Sequence, residues 1–251
     1  MHTLRNLALA ASLAAGNAVA GDCSLLQPGA DLSGCDLSGR SLFARDLHGA
    51  RLTGARLENA DLRGSNLADA NLAGANAKWA HFEGATLTRA DLRNADLFHA
   101  IFDYADLAGA QFGGAYLFGA NLVNARAAGA DLTHAYLKDI LMEGIDLSGG
   151  SLRDCYALRG VLIGARLVGT DLSGADLTGA AAEDADFTGA VLHGTRLAGA
   201  SLRNARFDSA DLQGADFAHA DLWSARFEQA RNQPASLLDA VAESFSGNAR
   251  P

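Results

Sequence analysis

The chain's stock of chemistry-bearing side chains is 29 Asp and Glu, seven His, three Cys and four Tyr among 251 residues. Acid–base catalysis by a carboxyl pair needs the two groups in unlike surroundings, one protonated and one not. Here Asp recurs on a five-residue clock, so each copy has nearly the same neighbours as the last. A repeated outward Asp is more simply a turn and solubility residue. The histidines (His2, His48, His81, His99, His134, His193 and His219) never fall at metal-ligand spacing from a cysteine. The glycines keep the same clock and form no phosphate-binding motif. No catalytic, metal or cofactor residues are therefore expected, and the chain reads as non-enzymatic.

One pattern positions all of these residues. From Ala30 to Gln229 a large apolar centre returns every fifth residue, from Leu32 and Leu37 to Phe227, in 40 unbroken copies. Twenty-eight centres are Leu, seven Phe, four Ala and one Met. The residue two before the centre is Ala in 29 copies, and the residue two after is Gly, Asn or Asp in 29. A period of five fits neither a helix nor an alternating strand. Each copy hides a large and a very small residue and shows three. Gly, Asn and Asp tolerate the positive φ of a tight turn, so the chain should bend every five residues and stack as a solenoid.

The Ala-(Asp/Asn)-Leu-x-x pattern, clean in Ala90-Asp91-Leu92-Arg93-Asn94 and Ala175-Asp176-Leu177-Thr178-Gly179, resembles the pentapeptide-repeat family over residues 30–229. The resemblance implies an all-β fold: a right-handed, four-sided β-helix with four repeats per coil. That gives ten coils and a rod of about 48 Å. The family has no shared catalytic set to carry over. Some members mimic duplex DNA and act on type II topoisomerases, which is the alternative function to weigh.

With 20 residues per coil, the sequence becomes a map of four sides. The side centred on Leu37, Leu57 and Ala77 carries Lys78, Trp79, Phe98, His99, Tyr116, Phe118, Tyr136, Lys138 and Tyr156. An exposed aromatic strip is a common mark of a binding site, although stacked rings also stabilise a sheet face by themselves. The next side, centred on Leu42, adds Ile101, Leu141 and Val161, with Val123 and Ile163 beside them. These residues are the candidate contact surface for a protein or glycan partner, or for a second copy. The side centred on Leu47 alternates Asp106, Arg126, Asp146, Arg166, Asp186 and Arg206 and predicts a salt-bridge ladder. The side centred on Leu32 is acidic but interrupted by Arg51, Arg93 and Arg153, a poor DNA mimic. The net charge of −9 and only two lysines argue against direct nucleic-acid binding.

The ends depart from the pattern. Residues 1–20 read as a secretion signal: Arg5, then the short apolar run Leu7–Ala15, then Ala18-Val19-Ala20 as a cleavage site. The mature protein is then expected in the periplasm or secreted, without a membrane span, as a monomer or weak homodimer. Residues 21–29 form an N-terminal cover and residues 230–251 a C-terminal cap helix and tail. In that helix Ser236 should be the N-cap, and Leu237, Leu238, Val241 and Phe245 the apolar residues. Topoisomerase-inhibiting relatives dimerise through a C-terminal segment, but one short helix suffices to cover one coil. Arg40 and Arg45 occupy the small inward position and cannot be buried unpaired. The first coil is therefore expected to be open or distorted there. Cys35 and Cys155 lie six coils, about 29 Å, apart and cannot bridge. Cys23–Cys35 is the one pair that can, and Cys155 should be a buried free thiol.

Overall fold

The computed structural model describes residues 22–247. The secretion signal read in residues 1–20 and the last residues of the tail lie outside the described residues. The residue before each centre forms a parallel bridge with the residue twenty positions later. These bridges run without a gap from Asp31–Arg51 to Asp211–Arg231. Four repeats thus close one coil, and ten coils stack into a right-handed β-helix.

The bend is a hydrogen-bonded turn. The N–H of Cys35 donates to the Leu32 carbonyl at 3.1 Å, and Ala60 repeats this to Leu57 at 2.9 Å. Only the residue two after the centre takes a positive φ, 67° at Gly34 and 53° at Asn59, which is the type II signature. The recurrence of Asp and Asn has its own cause. Their side-chain oxygen accepts the N–H two residues on, as in Ser33 to Asp31 at 3.2 Å, Ala73 to Asn71 at 3.0 Å and Thr133 to Asp131 at 2.9 Å. That bond satisfies a backbone donor which the coil ladder does not use.

The centres and the small residues together form one continuous core. Phe82 and Phe102 stack in adjacent coils at 4.6 Å, and Phe112 meets Phe102 edge-on at 6.0 Å. Where Thr or Ser fills the small slot, its hydroxyl is satisfied. Thr170 donates to the Leu147 carbonyl at 2.9 Å, Thr195 to Leu172 at 2.8 Å, and Ser65 to Leu62 at 2.7 Å. The large Ile140 is accommodated by Gly160 one coil later. A Cβ on Gly160 would lie 3.3 Å from Ile140 Cγ2. Gly150 is tighter still, since its Cβ would sit 2.6 Å from the Ala130 carbonyl oxygen. Gly150→Ala is expected to push on the bond from Ser151 N–H to that oxygen (2.9 Å). It should cost about 1–3 kcal/mol in denaturant unfolding.

At the N-terminal end Cys23 and Cys35 form a disulfide with a Cα separation of 5.6 Å. Cys155 is free and buried. Burial pushes its thiol up to about 12, with the Asp176 charge adding to the effect. The first coil differs from expectation. Its backbone is regular at the two arginines, with Asp61 N–H donating to the Arg40 carbonyl at 3.0 Å and Asn66 N–H to Arg45 at 2.8 Å. Both side chains are nevertheless exposed. Among the described residues no coil lies above the first, so the guanidinium groups extend outward without distorting the corner.

At the other end α1, Ala235–Gly247, lies across the last coil. Leu237 and Ala240 are buried and Val241 is partly buried against the core. Two expectations are corrected here. Leu238 is 65 % exposed, because one turn of helix cannot face both Leu237 and Leu238 inward. Ser236 lies inside the helix rather than at its N-cap. Its Oγ accepts the Phe217 N–H at 3.2 Å, a donor that an eleventh coil would have taken. The Phe245 side chain lies outside the described residues.

Candidate partner-binding face

The aromatic residues singled out on the second side stand in one column. Tyr116 and Tyr136 stack at 5.0 Å and 17°, and Tyr136 and Tyr156 follow at 5.2 Å and 32°. Phe98 and Phe118 form a parallel column at 5.6 Å. The coil spacing dictates these distances: a ring repeated every twenty residues meets its successor near the ideal stacking separation. Trp79 closes the N-terminal end by meeting Phe98 edge-on at 5.3 Å and remains 45 % exposed. His99 lies edge-on between Phe98 (4.3 Å) and Phe118 (5.8 Å).

Two backbone features make room for this end of the strip. Trp79 and His99 sit at turn corners with φ of 53° and 52°, where bulky residues are uncommon. In the next coil the same corner is Gly119, and a Cβ there would come within 2.5 Å of His99 Cε1. The imidazole occupies the space that the missing side chain leaves.

Most charges on this side are held in local contacts. Lys78 Nζ lies 3.1 Å from Asp96, and Arg159 lies 2.7 Å from Asp139. Lys138 Nζ sits 5.9 Å from the centre of the Phe118 ring, a cation–π contact. Tyr116 is 39 % exposed, whereas Phe98, Phe118, Tyr136 and Tyr156 are half-buried. Because the rings lie nearly parallel and coil upon coil, they cover one another's faces and turn edges and phenol oxygens outward.

The adjoining third side is less apolar than its sequence column suggested. Ile101, Leu141 and Val161 do share a column, but Asn121 bridges both Ile101 and Leu141 and interrupts it. The Asn121 amide donates to Asp103 at 3.2 Å. Burial holds the Asp103 carboxyl above the usual carboxylate range, and the charge of Glu83 adds to this. Leu141 and Ile163 are exposed, whereas Ile101, Val123 and Val161 are half-buried. Tyr104, outside the residues expected on these sides, is an exposed tyrosine at the third-side corner with a φ of 59°. Its signal was present: a large aromatic residue in a slot usually filled by Gly, Asn or Asp.

The other two sides behave as structural surfaces. On the first, Arg51 pairs with Asp31, Arg93 with Asp91 at 2.6 Å, and Arg153 with Asp171 at 2.9 Å. Asp31 is held down to about 2, first by the Ser33 hydroxyl and then by Arg51. These acids are ionised but locally compensated. On the fourth side the expected ladder closes only at Asp106–Arg126 (3.0 Å) and Asp186–Arg206 (3.3 Å). Arg226, which bridges to Arg206 rather than to an acid, pairs instead with Glu228 at 2.8 Å and with Asp208 at 3.5 Å. Among the described residues no group of His, Cys, Asp or Glu could hold a metal ion, and no helix is long and apolar enough to cross a membrane.

A profile of pentapeptide repeats matches the chain in eight copies, across residues 46–84, 78–112, 110–149, 161–194, 185–223 and 195–231. The chain belongs to the pentapeptide-repeat family. Among solved structures it is similar to HetL, a pentapeptide-repeat protein involved in heterocyst differentiation regulation from the cyanobacterium Nostoc sp. strain PCC 7120. The two share 33 % identity over 78 % of this chain and 87 % of HetL, with a TM-score of 0.62. It is also similar in fold to QnrB1, a plasmid-mediated fluoroquinolone resistance protein, at 17 % identity and a TM-score of 0.36 over 82 % of this chain and 95 % of that one. No curated protein sequence matches the chain.

Proposed function

We propose that this pentapeptide-repeat protein is an exported, non-enzymatic rod that presents its second side to a protein partner. The observation that carries this reading is the aromatic column from Trp79 to Tyr156, half-exposed and ordered, with Lys78 paired to Asp96 and Lys138 held over the Phe118 ring. Rigid aromatic side chains in such surroundings lose little entropy on binding and are the usual anchors of interfaces. A glycan is the weaker occupant. Sugars stack on open ring faces, and here Phe98, Tyr116, Phe118 and Tyr136 cover each other's faces. Export is supported by the secretion-signal pattern of residues 1–20 and by a disulfide, which persists in oxidising compartments. HetL, similar over most of both chains, is described as taking part in a regulatory process, in keeping with a binding role. Catalysis finds no support in any cluster of reactive groups. The reading of a topoisomerase-directed DNA mimic is disfavoured by the arginines that compensate the first-side acids.

The test is capture of partners from the exported fraction by the full chain and by a Tyr116→Ser/Phe118→Ser/Tyr136→Ser variant. Each buried aromatic anchor contributes about 2 kcal/mol or more, so the triple variant should lose its partners entirely. Circular dichroism checks that the β-helix persists. Unchanged partners with an unchanged spectrum would remove the aromatic side from consideration.

A further inference from the structure

The two ends of the rod are finished differently. At the C-terminal end α1 supplies hydroxyls to the last coil: Ser236 accepts from Phe217 N–H, and Ser244 from Leu222 N–H at 3.0 Å. At the N-terminal end the cover reaches only part of the first coil. Gly29 N–H donates to the His48 carbonyl at 2.8 Å, and Arg40 Nη1 donates to the Cys23 carbonyl at 3.0 Å. Among the described residues the backbone N–H groups of Asp36, Ser41 and Asp46 have no acceptor, although their counterparts in every later coil donate to the coil before. Among the described residues nothing pairs with the N-terminal edge of the third side of the first coil, Ser41-Leu42-Phe43, which is a β-edge.

That edge carries unusual side chains. Of the sixteen arginines among the described residues, thirteen lie within 4.0 Å of a carboxylate, and Arg40, Arg45 and Arg166 do not. Two of the three exceptions flank this one edge and stand in slots where the repeat places Ala. Phe43, between them, is 60 % exposed. In a chain of net charge −9, two guanidinium groups with no carboxylate within 4.0 Å stand beside these backbone donors, and Asp46 next to Arg45 is the one acid on this edge outside any ion pair.

We infer that the first coil accepts an extended acidic peptide segment of a protein partner, which adds a strand along Ser41–Phe43 and sets carboxylates against Arg40 and Arg45. Strand addition to an open edge supplies backbone hydrogen bonds, and flanking side chains supply the selectivity. Charge complementarity chooses this occupant over a second copy, since end-to-end stacking on this edge would oppose Arg40 and Arg45 to the same pair. It also disfavours residues 1–20, which contain Arg5 and no Asp or Glu. The site is separate from the aromatic side and does not depend on the function proposed for it.

The substitution that tests it is unusually safe, because Arg40→Ala/Arg45→Ala restores the residue found in most copies of the repeat. A fluorescein-labelled extended peptide alternating Thr and Glu is titrated with the full chain in low salt, and its anisotropy is read. Saturable binding is expected, weakened at least tenfold in the double variant and abolished when Glu is replaced by Lys in the peptide. Tyr116→Ser/Phe118→Ser/Tyr136→Ser should leave this binding unchanged, which separates the two surfaces. Absence of binding, or equal binding by the double variant, overturns the inference. So does a double variant that associates end to end in sedimentation while the parent chain ignores the peptide. In that case the arginines serve only to keep the edge from pairing with another copy.

Discussion

Phe102→Ala is expected to destabilise the rod by about 3–5 kcal/mol, the cost of removing a fully buried aromatic ring and leaving a cavity. Phe102 has no solvent exposure, stacks on Phe82 at 4.6 Å and 1°, and receives Phe112 edge-on at 6.0 Å. The interior of a four-sided coil is narrow and its backbone is tied above and below by the ladder. Neighbouring walls therefore cannot collapse into the void. Each coil contacts only its neighbours, so the loss should be local. Hydrogen exchange should rise first in the ladder bonds around residues 82–122, and the melting temperature should fall. The contrast is Phe98→Ala on the outside, where only ring–ring contacts of about 0.5–1.5 kcal/mol are lost. Comparable losses for the two variants would mean that the outer column is a structural element as important as the core. The argument for keeping it as a binding surface would then fail.

That contrast marks where the sequence was informative. A five-residue period leaves one solution for the inward residues, because a large centre and an Ala or Gly two places earlier fit no helix and no alternating strand. Once the family resemblance supplies four repeats per coil, the coil number, the side map and the aromatic column follow from counting, as does the buried thiol of Cys155. What counting cannot supply is direction. Arg40 and Arg45 occupy inward slots, yet an end coil gives a long side chain a way out, so the expected distortion does not occur. Arg126 stands between acids in both neighbouring coils and pairs with Asp106 (3.0 Å), not Asp146. The choice depends on rotamer and reach, which a one-letter code does not hold. Leu238 counts among the apolar residues of the helix, but the rotation of α1, fixed by Leu237, Ala240 and the two serines, leaves it exposed. Tyr104 stands at a third-side corner where the repeat usually has Gly, Asn or Asp, and such corners carry some of the most exposed aromatic groups.

Removing α1, by ending the chain after Gln233, is the second large effect to expect. The helix buries Leu237 against the last coil and provides oxygens to the N–H groups of Phe217 and Leu222. Burying one Leu is worth about 2 kcal/mol and each hydrogen bond about 1 kcal/mol, so the last coil should lose about 4 kcal/mol in all. That is a large share of what a single coil contributes in a solenoid. The truncated end would also display an unpaired β-edge together with Phe217, Leu222 and Phe227, a template for another chain. Concentration-dependent association should therefore appear in sedimentation velocity, together with early melting of residues 207–231 by hydrogen exchange. Leu237→Asp, which places a charge at a site only 2 % exposed, should reproduce the melting without shortening the chain. A dimerisation helix predicts the reverse: the intact chain would self-associate and the truncated chain would be monomeric. Among the described residues of α1 Leu238 is the exposed large apolar side chain, so Leu238→Ser helps to separate the two roles. Under capping it leaves both stability and mass unchanged, and under dimerisation it releases monomers.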